Sequence, residues 1–144
     1  MDETPCGESI TNLNQELMTI LERDIRLAYI NTLLDGGYTL LQEGTENPTV
    51  GYIVGGARKG TTMFARKVDA HNPEQFKEFM NLWIKTGAMC STHMDEGIGT
   101  WWHKGQIYFD VVQHFHFKDL AIEAGKKYGE IAIWDCKNQK DITL

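Results

Sequence analysis

Gly99-Thr100-Trp101-Trp102-His103-Lys104-Gly105-Gln106-Ile107-Tyr108-Phe109-Asp110-Val111-Val112 is the stretch that decides the fold. Two runs rich in aromatic and β-branched residues flank Lys104-Gly105. Such residues suit a pleated surface, and glycine supplies the positive φ that a tight turn needs. The pattern predicts an antiparallel hairpin over 98–112. On both sides of it the period changes. Upstream, Asn72-Pro73-Glu74-Gln75 reads as a helix start. Asn72 caps, Pro73 suits the first helical position, and Gln75 completes a capping box. Phe76, Phe79, Met80, Trp83 and Ile84 then fall on one helical stripe, a core-facing pattern, and Gly87 closes the helix. Downstream, a third helix is expected over 118–128, burying Leu120, Ala121 and Ala124 and stopped by Gly129. Ile131–Trp134 reads as a buried strand. Cys136–Lys140 turns back into a last strand, Ile142–Leu144.

Further out, the N-terminal part is helical from Asn12, with Gln15 as the reciprocal cap partner. Leu13, Leu17, Ile20, Leu21 and Ala28 recur at three- and four-residue steps, flanked by Ile25 and Tyr29, until Gly36-Gly37. Three strands follow: Tyr38–Leu41, Val50–Val54 and Thr61–Val68. Their connections, Glu43–Thr49 and Gly55–Gly60, have turn composition, so the three read as an antiparallel meander. The expected order is α-β-β-β-α-β-β-α-β-β. This is an α+β fold: a mainly antiparallel sheet with a long N-terminal helix and two further helices. Residues 1–11 read as a flexible tail and 12–144 as a single domain. The long helix carries apolar residues on two faces, Leu17 and Leu21 on one, Met18, Ile25 and Tyr29 on another. A two-sided helix in a small domain predicts a homo-oligomer.

The bulk properties narrow the function. A chain of 144 residues buries roughly 68% of its unfolded surface and needs no disulfide or structural metal to build a core. The net charge of -6 argues against non-specific nucleic-acid binding, since a polyanion repels an acidic protein. Cys6, Cys90 and Cys136 are sparse and form no CxxC pair, which fits a reducing compartment. The first ten residues are acidic and carry no secretory pattern. No run approaches the ~18 apolar residues of a membrane span. A cytoplasmic protein with no membrane partner is expected.

The C-terminal third resembles a segment of small phage and prophage proteins. The residues that carry the likeness are Gly99-Thr100-Trp101, Lys104–Val111, a helix with Ala121 and Gly125, and Gly129-Glu130-Ile131-Ala132-Ile133-Trp134-Asp135. In that group the motif runs tryptophan, turn, a tyrosine-aspartate-valine strand, a helix, and an alanine-isoleucine-aromatic-aspartate strand. Members often have Asn-Gln where this chain has Gly129-Glu130, so the helix-to-strand junction differs. The resemblance implies an accessory protein of a mobile element. Proteins of that size and origin include anti-defence sponges that sequester nucleotide signals.

Three features carry candidate chemistry. Gly55-Gly56-Ala57-Arg58-Lys59-Gly60-Thr61-Thr62 is glycine-rich and basic. Converging backbone N–H groups with Arg58 and Lys59 would suit an anion. A P-loop would place lysine after the second glycine and open a helix, and this stretch does neither. It therefore reads as a hairpin turn or as an anion-contacting loop. Trp101-Trp102 is the second feature: adjacent strand residues face opposite ways, so one should be core and one outward. An outward Trp102 could stack on a base or pack on a partner, or lie under the first helix. The expected ligand contacts are thus Gly55, Gly56, Arg58, Lys59, Thr61 and Trp102. The third feature is the set His93, Asp95, Glu96, His103, His114 and His116, with Phe115 and Phe117 expected on the buried face opposite the last two. These residue types could serve a metal-assisted hydrolase, yet no HExxH or finger spacing occurs. Cys90 and His93 form only a loose pair, and neither Ser9 nor Ser91 lies in GxSxG. No catalytic residue, cofactor or metal is assigned. The leading expectation is a non-catalytic protein that binds a nucleotide-like ligand or a host protein. A small hydrolase using the His/Asp cluster is the competing class.

Overall fold

The computed structural model describes residues 6–57, 62–65, 72–91 and 93–144, with residues 6–20 and 62–65 described through their backbone alone. The elements are α1 (Cys6–Asp35), β1 (Gly37–Leu41), β2 (Tyr52–Val54), β3 (Thr62–Ala65), α2 (Pro73–Met89), β4 (Glu96–His103), β5 (Gln106–Phe115), α3 (Lys118–Lys127), β6 (Ala132–Asp135) and β7 (Lys140–Thr143). All strand pairs are antiparallel, and the architecture is α+β. The sheet order is β1-β4-β5-β2-β6-β7, with β3 also paired to β5.

The β4–β5 hairpin is the spine. Lys104 (φ 51°) and Gly105 (φ 79°) both sit in the left-handed region, the signature of a two-residue type I′ turn. That turn fixes His103 opposite Gln106, and hence Trp101 opposite Tyr108. At ten residues β5 is the longest strand, and it pairs with three others.

The expected meander is not formed. β1 pairs with β4, while β2 and β3 both pair with β5 along one edge. They run in the same direction, as two halves of one interrupted strand. Val54 stands opposite Gln113 and Thr62 opposite Phe109, so residues 55–61 span only Asp110–Val112. β2 and β3 are therefore not the two arms of a hairpin, and residues 58–61 of their connection lie outside the described residues. Long-range pairing with β5 overrides the local turn composition that suggested a hairpin.

Strand alternation gives the sheet two different faces. Ile98 and Thr100 of β4, Ile107, Phe109 and Val111 of β5, Val54 of β2 and Ile133 of β6 share one face, and all are buried. All three helices cover it. Ile25, Ala28 and Tyr29 of α1 and Phe76, Phe79 and Trp83 of α2 form the larger core with Ile98, Ile107 and Phe109. Tyr29 packs its ring 4.9 Å from Phe79, which lies 5.0 Å from Phe109. Thr32 sits among them without cost, because its hydroxyl donates to Ala28 O (2.7 Å) and meets Thr100 Oγ1 (2.6 Å). α3 packs on Val54 and Ile133 through Ala121 and Gly125.

Several burial expectations change for local reasons. On α1 the inward stripe is Ile25, Ala28, Tyr29 and Thr32, and Leu21 is exposed. The Asn12 cap falls outside the described side chains. The Asn72 cap forms, its side chain accepting from Glu74 N–H (3.0 Å). Gly87 does not close α2: the helix runs to Met89, with Cys90 N–H returning to Gly87 O (3.2 Å). Ile84 is exposed while Thr86 is buried. Leu120 is exposed, since small residues bring α3 onto the sheet along its other side, and Phe117 is exposed at the N-cap of α3, beyond the end of β5. Ile131 stays outside β6 and is exposed.

Among the described residues no helix lies on the opposite face. Its upper end still holds a small core of Leu41, Ile53, Val112 and Cys136. The connection 42–51 crosses this end of the sheet. It is tied down by His114 Nε2 to Val50 O (2.8 Å), Cys136 N–H to Gly51 O (3.0 Å) and Asn47 N–H to Thr39 O (2.8 Å).

Candidate ligand-binding face

Below that small core the helix-free face is open. Trp101, Tyr108 and His103 point from it at the turn end of the hairpin. The Trp101 and Tyr108 rings lie 4.9 Å apart between centroids at 34°, and His103 meets Trp101 edge-on at 5.6 Å. Trp101 is 46% exposed, and an exposed indole can take a planar partner. β3 flanks this pair, with Met63 opposite Tyr108.

Asp110 follows on the same face of β5, two residues and about 7 Å beyond Tyr108. Gly55 and Gly56 lie against it. Gly56 N–H donates to Asp110 Oδ2 (2.9 Å). A Cβ on Gly55 would collide with Asp110 Oδ2 and come within 2.6 Å of Glu130 Oε1. Two carboxylates close in on the backbone at this point, and a larger residue would have to displace them. Burial pushes the Glu130 carboxyl above its ordinary range. The first N–H of the expected anion nest is therefore already given to a carboxylate of the protein. What lies here is a tilted aromatic pair and a hydrogen-bonded Asp110, with a desolvated Glu130 against Gly55. Aromatic faces hold planar rings, and carboxylates accept from ring N–H and amino groups.

The expected ligand contacts divide. Gly55 and Gly56 are on this face. Arg58, Lys59 and Thr61 lie outside the described residues. The Trp102 side chain alternates onto the helix-bearing face, and its backbone N–H continues the β1–β4 ladder to Gly36 O (2.9 Å). One tryptophan was expected to be core, yet Trp102 is 44% exposed, nearly as much as Trp101. Both sit at the hairpin end, beyond the reach of the packed helices. Trp101, Tyr108, Asp110 and Glu130 were not singled out from the sequence. The first two were legible, because a two-residue turn at Lys104-Gly105 fixes their pairing. Glu130 was not, since only tertiary packing brings it to Gly55.

The histidine-carboxylate set does not assemble. His103 is at the turn, and His114 lies about 27 Å away along β5. Glu96 is buried and accepts from Ser91 Oγ (2.6 Å) and Ser91 N–H (3.1 Å), a loop-fixing role, while His93 is exposed. His114 and His116 meet edge-on at 4.9 Å. Cys90 Sγ donates to Thr86 O (3.7 Å) and Gly97 O (3.6 Å), a helix-end contact. Among the described residues no three His, Cys, Asp or Glu side chains converge to hold a metal ion. No described helix is long and apolar enough to cross a membrane.

Comparison with protein-family models, curated proteins and solved structures gave no match to this chain.

Proposed function

We propose that this chain is a non-catalytic binding protein that takes a nucleotide-like ligand on the open face of its sheet. The observation that carries the reading is the Trp101–Tyr108 ring pair, with Trp101 half-exposed, on the face where Gly56 meets Asp110. A base lies against the free face of Trp101, its polar edge toward Asp110. Arg58, Lys59 and Thr61 meet the phosphate. The C-terminal resemblance supplies the setting: an accessory protein of a mobile element, acting in the cytoplasm by sequestering a nucleotide signal. The long N-terminal helix serves association between copies.

Calorimetric titration of the whole chain with mono- and dinucleotides tests this. Trp101→Ala should weaken binding by roughly five- to a hundredfold, the range for losing one stacked base. Arg58→Ala with Lys59→Ala should weaken it further and flatten its salt dependence. Trp101 is exposed enough for the variant to keep its fold, which circular dichroism checks. Unchanged affinity in the Trp101 variant, or no binding by any nucleotide, overturns the reading.

A further inference from the structure

Beside the aromatic pair the open face carries a carboxylate, and its chemistry limits which base can lie there. Asp110 alternates along β5 with buried Phe109 and Val111, which puts its side chain on the face of Trp101 and Tyr108. Trp101 pairs with Tyr108, so Asp110 is its diagonal neighbour across the two strands, about 7–8 Å away. The partner of Asp110 on β4 is Gly99, which brings no side chain to compete for it. Gly56 N–H anchors the carboxylate through Oδ2 (2.9 Å). Glu130, the other carboxylate that closes on Gly55 and Gly56, adds acceptors to this side of the platform and no cation.

From this we infer that the base is guanine and that Asp110 selects it, an inference that rests on the nucleotide reading of the Trp101–Tyr108 face. An ionised carboxylate offers acceptors only, with about four lone-pair sites over its two oxygens, so it can hold Gly56 N–H and a base together. It matches an edge that presents two adjacent donors. Guanine has such an edge, with N1–H beside the N2 amino group. Adenine sets its amino group between two ring nitrogens that are acceptors, and cytosine sets its amino group beside one. The N–H of uracil lies between two carbonyls. Each of these turns a lone pair toward the carboxylate, whereas guanine makes two charge-assisted hydrogen bonds to it.

Calorimetric titration of the whole chain with four nucleoside monophosphates is the test. Guanosine monophosphate should bind about tenfold or more tighter than inosine monophosphate, which differs only in lacking the N2 amino group. Adenosine monophosphate should bind more weakly still. Asp110→Asn turns one acceptor into a donor. It should weaken guanosine monophosphate by about tenfold or more and strengthen xanthosine monophosphate, in which a carbonyl replaces the amino group. That gain also shows that the variant is folded. Equal binding of guanosine and inosine monophosphates, tighter binding of adenosine monophosphate, or an Asp110→Asn variant that keeps guanosine and rejects xanthosine would each overturn the choice of guanine. In those cases a loss of affinity in Trp101→Ala leaves the stacked nucleotide standing. No binding of any of the four to the wild type overturns both.

Discussion

A methyl group at Gly97 would collide with Leu40 O and lie 2.6 Å from Leu41 Cα. Backbone cannot swing aside as a long side chain does, so Gly97→Ala should pry β1 from β4. We expect a loss of about 2 kcal/mol or more, the upper range for overpacking, read from urea denaturation. Glu130 is a second single-residue test. Its folded-state pKa is raised, so the native state holds the proton more tightly than the unfolded chain. Stability therefore falls as pH rises through the interval between the two values. Glu130→Gln should stabilise the protein at neutral pH and lose that advantage below about pH 4, where the unfolded carboxyl is also protonated. Equal denaturation midpoints for wild type and variant at neutral pH would show that Glu130 is not desolvated. Neither residue could be chosen from sequence, since a glycine's crowding and a carboxylate's burial depend on distant strands.

At the scale of elements, what was legible is what local chemistry decides. The Asn72 cap, the Phe76–Phe79–Trp83 stripe and the Lys104-Gly105 turn are each set within a few residues, and each forms. Trp83 is buried beside Tyr38 and Phe79, so Trp83→Ala should cost about 3–5 kcal/mol in chemical denaturation. In the turn, nothing lies near a Cβ added at Gly105. The penalty of Gly105→Val is then backbone strain alone, about 1–2 kcal/mol. Lys104 pays some of that strain already, and Lys104→Asn should raise the melting temperature because asparagine tolerates the left-handed region. The meander failed for the opposite reason. Tyr52–Val54 and Thr62–Ala65 look like neighbours joined by a turn, yet their partner is a strand more than forty residues away. Pairing between strands depends on which one is long enough to organise the rest, and only the folded sheet reveals that β5 is.

For the molecule as a whole, the apolar interior is divided between the two faces of one sheet. The helices seal one side, and an irregular connection, 42–51, seals the upper part of the other. Cys136 reports on that second seal. It is buried, and burial pushes its thiol up to about 11, so it is a neutral thiol at physiological pH. Mass spectrometry after brief alkylation of the native protein should find Cys136 unmodified, with full labelling once urea is added. Rapid native labelling would mean that the connection opens readily.

The interruption between β2 and β3 has a consequence for how this fold can vary. Along one edge β5 holds Val54 before the interruption and Thr62 after it, each through its own antiparallel register. Because both anchor points are set independently, the count of residues between them is not constrained by the sheet. Lengthening or shortening residues 58–61 leaves both registers on β5 as they are. The fold thus contains a built-in grafting slot, where new recognition sequence can be spliced into the middle of a strand while the scaffold keeps its registration.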